Sequence, residues 1–234
     1  MQIVVTSYKR LKYLKQCVES IRQDNVQLFI ADGGSDEETK EYIKHNADGF
    51  IFFEDNPGAD FLKTEGIKTF VTDKEFMISS DDLVYPKGYS ELILNQYRKL
   101  NVDGLKWTFC ACNMQSLENE VKKYNNPALH SWKWEIVNGV EILKVVVSQV
   151  AGAILDLELC KFVGYFPAYG KSGYGDRAIS KRLQALGINL CFFRTPMIDH
   201  VGRNKAIDFP EYTADFERDE AVWQDKAARD ELKC

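Results

Sequence analysis

Apolar and polar positions switch period repeatedly along the first hundred residues. QIVVTS (2–7) is a short β-rich apolar run, and Leu11, Leu14, Val18 and Ile21 then recur at helical spacing within RLKYLKQCVESIRQ. VQLFIAD (26–32) reads as a second strand. SDEETKEYIKH opens with a capping box, in which Ser35 caps the helix and Glu38 reaches back. GFIFFED (49–55) is a third strand, GADFLKTEGIKTFV (58–71) a third helix weakened by Gly66, and KEFMIS (74–79) a fourth strand. Strand and helix alternating at this spacing predict a parallel sheet with right-handed crossovers. Such sheets bind ligands just beyond the carboxyl ends of their strands.

The second half is less regular. YPKGYSELILNQYRKL is helical after its proline. VDGLKWTFCACNM, ALHSWKWEIV and VEILKVVVSQVAGAILD read as strands, and an antiparallel arrangement is expected for them. GYGDRAISKRLQALG is a helix with Ile179, Leu183 and Leu186 on one face and Gly187 as its stop, and INLCFFRTPMIDHVG is a strand with a polar exit. DFERDEAVWQDKAARDELK, near the C-terminus, is a charged amphipathic helix.

The polar residues fall where the pattern places a ligand. Strand one ends in Thr6-Ser7-Tyr8, strand two in Asp32-Gly33-Gly34-Ser35, and strand four in MISSDDLVYP with Asp81 and Asp82 adjacent. Two neighbouring like charges at a strand end require water or a cation to take them up. A solvated turn accounts for one such end but predicts nothing about the others, so their convergence points to a site.

Composition narrows the class. At 234 residues one domain is expected, large enough for a full core and a pocket. A net charge of −5 gives no global support for a nucleic-acid or anionic-membrane partner. No window reaches the ~18 apolar residues of a membrane span. The N-terminus lacks a basic-then-apolar leader and reads as the first strand. The six cysteines form no CxxC, which fits reduced thiols in a cytoplasmic protein. FCAC places Cys110 and Cys112 on one strand face, a metal half-site without a second pair at zinc spacing.

The motifs VVTSYKR, IADGGSDEET, DNPGADFLKTEG, MISSDDLVYP, GYGDRAISKRLQALG and DHVG, in this order from residue 4 to about residue 202, resemble those of glycosyltransferase family 2. The resemblance implies a GT-A fold. That is an α/β, Rossmann-like, mostly parallel sheet flanked by helices, with a smaller antiparallel acceptor-side portion and a C-terminal helix. One domain over 1–234 is implied: a nucleotide-sugar-binding half (1–100), an acceptor-side half (101–210) and a helical tail (211–234). It also implies roles. Tyr8 packs near the nucleotide base, with Thr6 offering backbone contacts, and Asp32 contacts base or ribose. Lys63 stands where the family has an arginine facing the diphosphate; lysine keeps the charge and loses the bidentate fork. The DXD motif corresponds to Ser79-Ser80-Asp81-Asp82, which places Ser80 and Asp81 on the donor. Asp81 is the metal ligand carried over, Asp82 an alternative ligand, and His200 of DHVG a late addition to the metal. Asp176 of GYGD corresponds to the catalytic base. The chain departs from the pattern at Gly33, at Ser79 and before Asp176, where the family has two aspartates and a glutamate.

The implied function is a metal-dependent, inverting transfer of a sugar from a nucleoside diphosphate sugar, with a UDP-sugar favoured and Mn²⁺ or Mg²⁺ as cofactor. The chemistry suits these residue types. A hard cation held by a carboxylate stabilises the charge that develops on a diphosphate leaving group. The acceptor hydroxyl must lose its proton to a positioned base, and Asp176 would sit in a helix first turn. A nucleotidyltransferase shares the fold type but usually opens with a Gly-rich phosphate loop, which VVTSYKRLKYL lacks. A non-catalytic nucleotide- or sugar-binding module is the third reading. For the acceptor, a strand's two-residue period puts His130, Trp132, Trp134 and Ile136 of ALHSWKWEIV on one face, an aromatic shelf of the kind that stacks on sugars or bases. The acceptor is a hydroxyl-bearing glycan, small molecule, protein or modified nucleic-acid base.

Overall fold

Ile3, Val4 and Val5 are fully buried, without the polar alternation of a one-sided strand. Such a run belongs in a sheet covered on both faces. In the computed structural model, which describes residues 1–114, 133–145, 147–148, 152–168, 174–202, 218 and 221–222, these residues form the central strand. Strands β1 (Gln2–Ser7), β2 (Gln27–Asp32), β3 (Gly49–Phe52) and β4 (Glu75–Ser80) alternate with helices α1 (Leu11–Ile21), α2 (Glu37–Asn46) and α3 (Ala59–Phe70). The sheet runs β3-β2-β1-β4-β9, with β9 (Ala153–Asp156) antiparallel to β4 and the others parallel. After β3 the chain crosses to the other side of β1 to form β4. The order therefore reverses between β1 and β4, and a crevice opens beyond their carboxyl ends.

The helices follow the apolar stripes. α1 buries Leu14, Cys17, Val18 and Ile21, with Leu11 half-buried. α2 starts one residue later than the capping-box reading: Asp36, not Ser35, caps it, accepting the Thr39 amide at 2.8 Å. The Ser35 hydroxyl is drawn instead to the buried Asp32.

A second sheet, β5-β10-β8-β7, combines β5 (Leu83–Val84), β10 (Leu190–His200), β8 (Val140–Val145) and β7 (Trp134–Val137) in antiparallel pairs. β6 (Ala111–Met114) joins β10 in parallel. The segment 140–156 is not one strand: its start is taken by β10, and its end supplies β9 to the first sheet. α4 (Tyr89–Leu100), α5 (Leu157–Phe162) and α6 (Gly175–Ala185) complete the described elements. Most of the expected C-terminal helix lies outside the described residues; 218 and 221–222 are helical. Cys17, Cys110, Cys112, Cys160 and Cys191 are free and buried. No helix among the described residues is long and apolar enough to cross a membrane.

Candidate active site

Parallel register sets Thr6 beside Ser80, and the chain leaves both strands on the same side. Two residues on, the Tyr8 amide donates to Asp81 Oδ2 at 3.4 Å. Asp81 and Asp82 are 4 % and 0 % exposed, so the adjacent carboxylates are not a solvated turn. Arg10 meets both. Its Nη1 lies 3.3 Å from Asp81 Oδ1 and 2.8 Å from Asp82 Oδ2, and its Nη2 donates to the Gly202 carbonyl at 3.0 Å. Asp82 also accepts the Ser80 hydroxyl at 2.6 Å. The β5–β10 pairing sets Leu83 opposite His200, whose Nε2 is 3.1 Å from Asp82 Oδ2. Ser79, in the place of the motif's first aspartate, faces the interior and accepts the Tyr85 hydroxyl at 2.7 Å. Beneath the pair, burial and then the charges of Asp81 and Asp82 push the Cys17 thiol well up, which keeps it protonated and unreactive.

The exit of β2 is tied to this edge. Asp32 is fully buried and accepts the amides of Gly34 (3.1 Å) and Ser35 (2.9 Å) and the Ser35 hydroxyl (2.6 Å). Ser35 Oγ in turn accepts the Lys9 amide at 2.7 Å, which links the loops after β1 and β2. These bonds make Asp32 the anchor of its loop.

Lys63 lies on α3, and its ammonium is 2.8 Å from both Asp60 Oδ1 and Asp176 Oδ1. Burial alone would pull the Lys63 pKa down; Asp176 and Asp60 outweigh it and hold the pKa above the usual lysine value. Asp60 Oδ2 accepts the Gly175 amide at 2.8 Å, just before Asp176. A Cβ on Gly175 would meet the Asp60 carboxylate at 2.5–2.7 Å, so a glycine is required there. Lys63 thus reaches the expected base rather than standing apart from it. Asp176 sits in the first turn of α6 and is partly exposed.

For a divalent cation, the three expected ligands differ. Asp82 is fully buried and holds Arg10, Ser80 and His200, and His200 turns Nε2 towards Asp82. Asp81 is 4 % exposed, and the Tyr8 amide and Arg10 Nη1 reach it at 3.4 and 3.3 Å. No three His, Cys, Asp or Glu side chains among the described residues converge on one point. The remaining oxygens would come from donor diphosphate and water.

Trp132 and His130 lie outside the described residues. Trp134 is half-buried against the core at the β7 edge, paired with Leu143, and the Arg194 guanidinium covers its ring at 5.4 Å. Ile136, expected on the same face, is 76 % exposed.

Sequence reasoning missed Arg10 and Asp60. A signal existed for each. An arginine directly before an amphipathic helix, on the edge that gathers two aspartates, is the natural counter-charge. Asp60 stands one helical turn before Lys63, the spacing of an intrahelical ion pair.

Residues 2–141 match glycosyl transferase family 2. No curated protein sequence matches the chain. Among solved structures, mannosyltransferase PcManGT from Pyrobaculum calidifontis, in complex with GDP-Man and Mn²⁺, superposes with a TM-score of 0.68 at 13 % identity, over 97 % of this chain and 64 % of that one. TarS from S. aureus gives 0.60 at 12 % identity, over 88 % of this chain and 37 % of that one. TarS 1-349 in complex with UDP-GlcNAc gives 0.60 at 10 % identity, over 85 % and 57 %. At these identities the likeness is one of fold, and the chain spans between about a third and two thirds of the length of these structures.

Proposed function

The chain belongs to glycosyl transferase family 2, and from that membership we propose that it transfers a sugar from a nucleoside diphosphate sugar to a hydroxyl acceptor. The observation that carries this reading is the bond from the Tyr8 amide to Asp81 at the β1/β4 reversal, where an open α/β sheet takes its ligand. The exit of β1 presents an aromatic ring for a nucleotide base, and the exit of β4 presents carboxylates for a cation and donor. Structures of similar fold hold GDP-Man with Mn²⁺ or UDP-GlcNAc, which supports a nucleotide-sugar donor; a UDP-sugar is our first choice.

Each step then falls to a group of this chain. Tyr8 stacks on the base, and Thr6 and Ser80 line the strand ends beneath the donor. Asp81 would hold Mn²⁺ or Mg²⁺, which when bound offsets charge on the diphosphate leaving group. Asp176 takes the acceptor hydroxyl's proton as oxygen attacks the anomeric carbon and the nucleoside diphosphate departs from the opposite face. A single base and a direct displacement invert the anomeric configuration. Lys63, paired with Asp60, fixes the Asp176 carboxylate in place and is the positive charge that faces the diphosphate. Five buried free thiols support a reducing, cytoplasmic setting.

Calorimetry of UDP and GDP binding with Mn²⁺, on the wild type and on Asp81→Asn, tests the reading. Binding in the wild type that is lost in the variant is the expected result. Absence of binding by any nucleoside diphosphate would overturn it.

A further inference from the structure

The Asp81–Asp82 pair already has a cation. The Arg10 side chain is 5 % exposed and touches a carboxylate oxygen of each aspartate. Its other nitrogen is held by the Gly202 carbonyl, and the Tyr13 ring lies 4.6 Å from its guanidinium carbon. The closeness is strict at Gly202, where an added Cβ would overlap Arg10 Nη2 and come within 2.7 Å of Asp82. Guanidinium stays charged at every relevant pH and cannot be neutralised to make room. Two adjacent buried carboxylates without such a partner would be strongly destabilising, so the fold itself depends on this contact.

A second cation at Asp81 would stand within a few ångströms of Arg10. Mutual repulsion then opposes metal entry unless negative charge arrives with it. A nucleoside diphosphate brings that charge. We propose that Arg10 is a built-in counter-cation, which keeps the acidic pair from loading a divalent metal until donor diphosphate is present. This rests on the reading of the pair as the donor site. Coupling of this kind is reciprocal: nucleotide raises metal affinity by the factor by which metal raises nucleotide affinity. The arrangement makes metal binding report on donor binding, and it keeps the empty site from holding a cation out of register.

Mn²⁺ alone is the probe. Titrated without nucleotide, followed by calorimetry and melting temperature, it should leave the wild type unshifted at concentrations where Arg10→Met binds at least ten-fold more tightly and gains thermal stability. Arg10→Lys keeps the charge and should behave as wild type. If Arg10→Met folds only in the presence of Mn²⁺, that rescue also supports the proposal. Tight Mn²⁺ binding by the nucleotide-free wild type would overturn it, as would equal Mn²⁺ affinity in the wild type and Arg10→Met. So would an Arg10→Met melting point lowered by the same amount with and without the metal. These arms need no nucleotide, so they decide the role of Arg10 separately from whether UDP or GDP binds.

Discussion

The Lys63 ammonium lies 2.8 Å from Asp176 Oδ1, across 113 residues of sequence, while an equal contact ties it to Asp60 on its own helix. The expected base is therefore held by a rigid bridge between α3 and α6. Asp176→Asn keeps its shape but cannot take a proton. Nucleotide binding by calorimetry should stay near normal while labelled-sugar transfer falls ~10²-fold or more. Transfer at the wild-type rate would remove Asp176 from the mechanism.

Lys63→Met leaves Asp60 buried without its cation, and a loss of about 3–5 kcal/mol in denaturant unfolding is expected. The pH sign follows from the raised pKa. The contribution is complete below the unfolded-state lysine value of 10.5 and is lost as pH climbs through the higher folded value. Wild type and Lys63→Met should therefore differ at neutral pH and converge as the lysine deprotonates in strongly alkaline solution. Convergence at neutral pH would contradict the bridge.

The two adjacent aspartates should separate on mutation. Asp82→Ala removes a partner from Arg10, Ser80 and His200 at once, and about 3–5 kcal/mol of stability should go with it. Asp81→Ala leaves Arg10 bonded to Asp82, so the melting temperature should change far less while nucleotide binding with Mn²⁺ is lost. The reverse ranking of melting temperatures would refute the assignment.

Asp24 caps a helix it does not belong to. Gly88, at the N-cap of α4, has no side chain to offer, and Asp24 accepts the amides of Gly88 and Ser90 and the Ser90 hydroxyl at 2.6–2.9 Å. Partial burial works to raise its pKa, but the Ser90 and Gly88 bonds prevail and hold it below the usual 3.8. Its stabilisation is thus present above that value and disappears as pH falls through the lowered one. Asp24→Ala should lose about 1 kcal/mol at pH 7. The gap from wild type, read by urea unfolding, should close as pH falls through the lowered Asp24 pKa.

Trp134 separates a packing role from an acceptor role. Half-buried against the core and capped by Arg194, it should lose about 1–3 kcal/mol on mutation to alanine, less than the 3–5 of a fully buried tryptophan. Donor binding and transfer should be retained. Unchanged melting temperature with lost transfer would restore the aromatic shelf.

Much of the first hundred residues was legible because each element there carries its own period. β1 to β4 and α1 to α3 fall within a few residues of their apolar patterns, and the strand ends that gather Tyr8, Asp32 and Asp81 follow from topology alone. What was hidden is pairing over long separations. Nothing local in 140–156 says that its two ends go to different sheets, because both ends are apolar and β-branched. Ser35 has the chemistry of a cap, yet Asp32 takes it, and its neighbour Asp36 caps instead. Arg10 and Asp60 escaped for the same reason: a charged residue beside a helix start looks solvated until its partners, 71 or more residues away for Arg10 and Gly175 for Asp60, are folded onto it.

The return of β9 to the edge of β4 bears on how the chain can be divided. A fragment ending at Leu100 would contain β1 to β4 and the strand ends that carry Tyr8, Asp32 and Asp81, yet it would leave the backbone of Glu75–Ile78 with one side unpaired. An apolar strand with an open edge is a template for self-association. Such a fragment should precipitate or oligomerise rather than fold as a free nucleotide-binding module. For the same reason the two sheets should melt in one cooperative transition, so evolution or engineering could exchange the second sheet of this protein only by carrying β9 along with it.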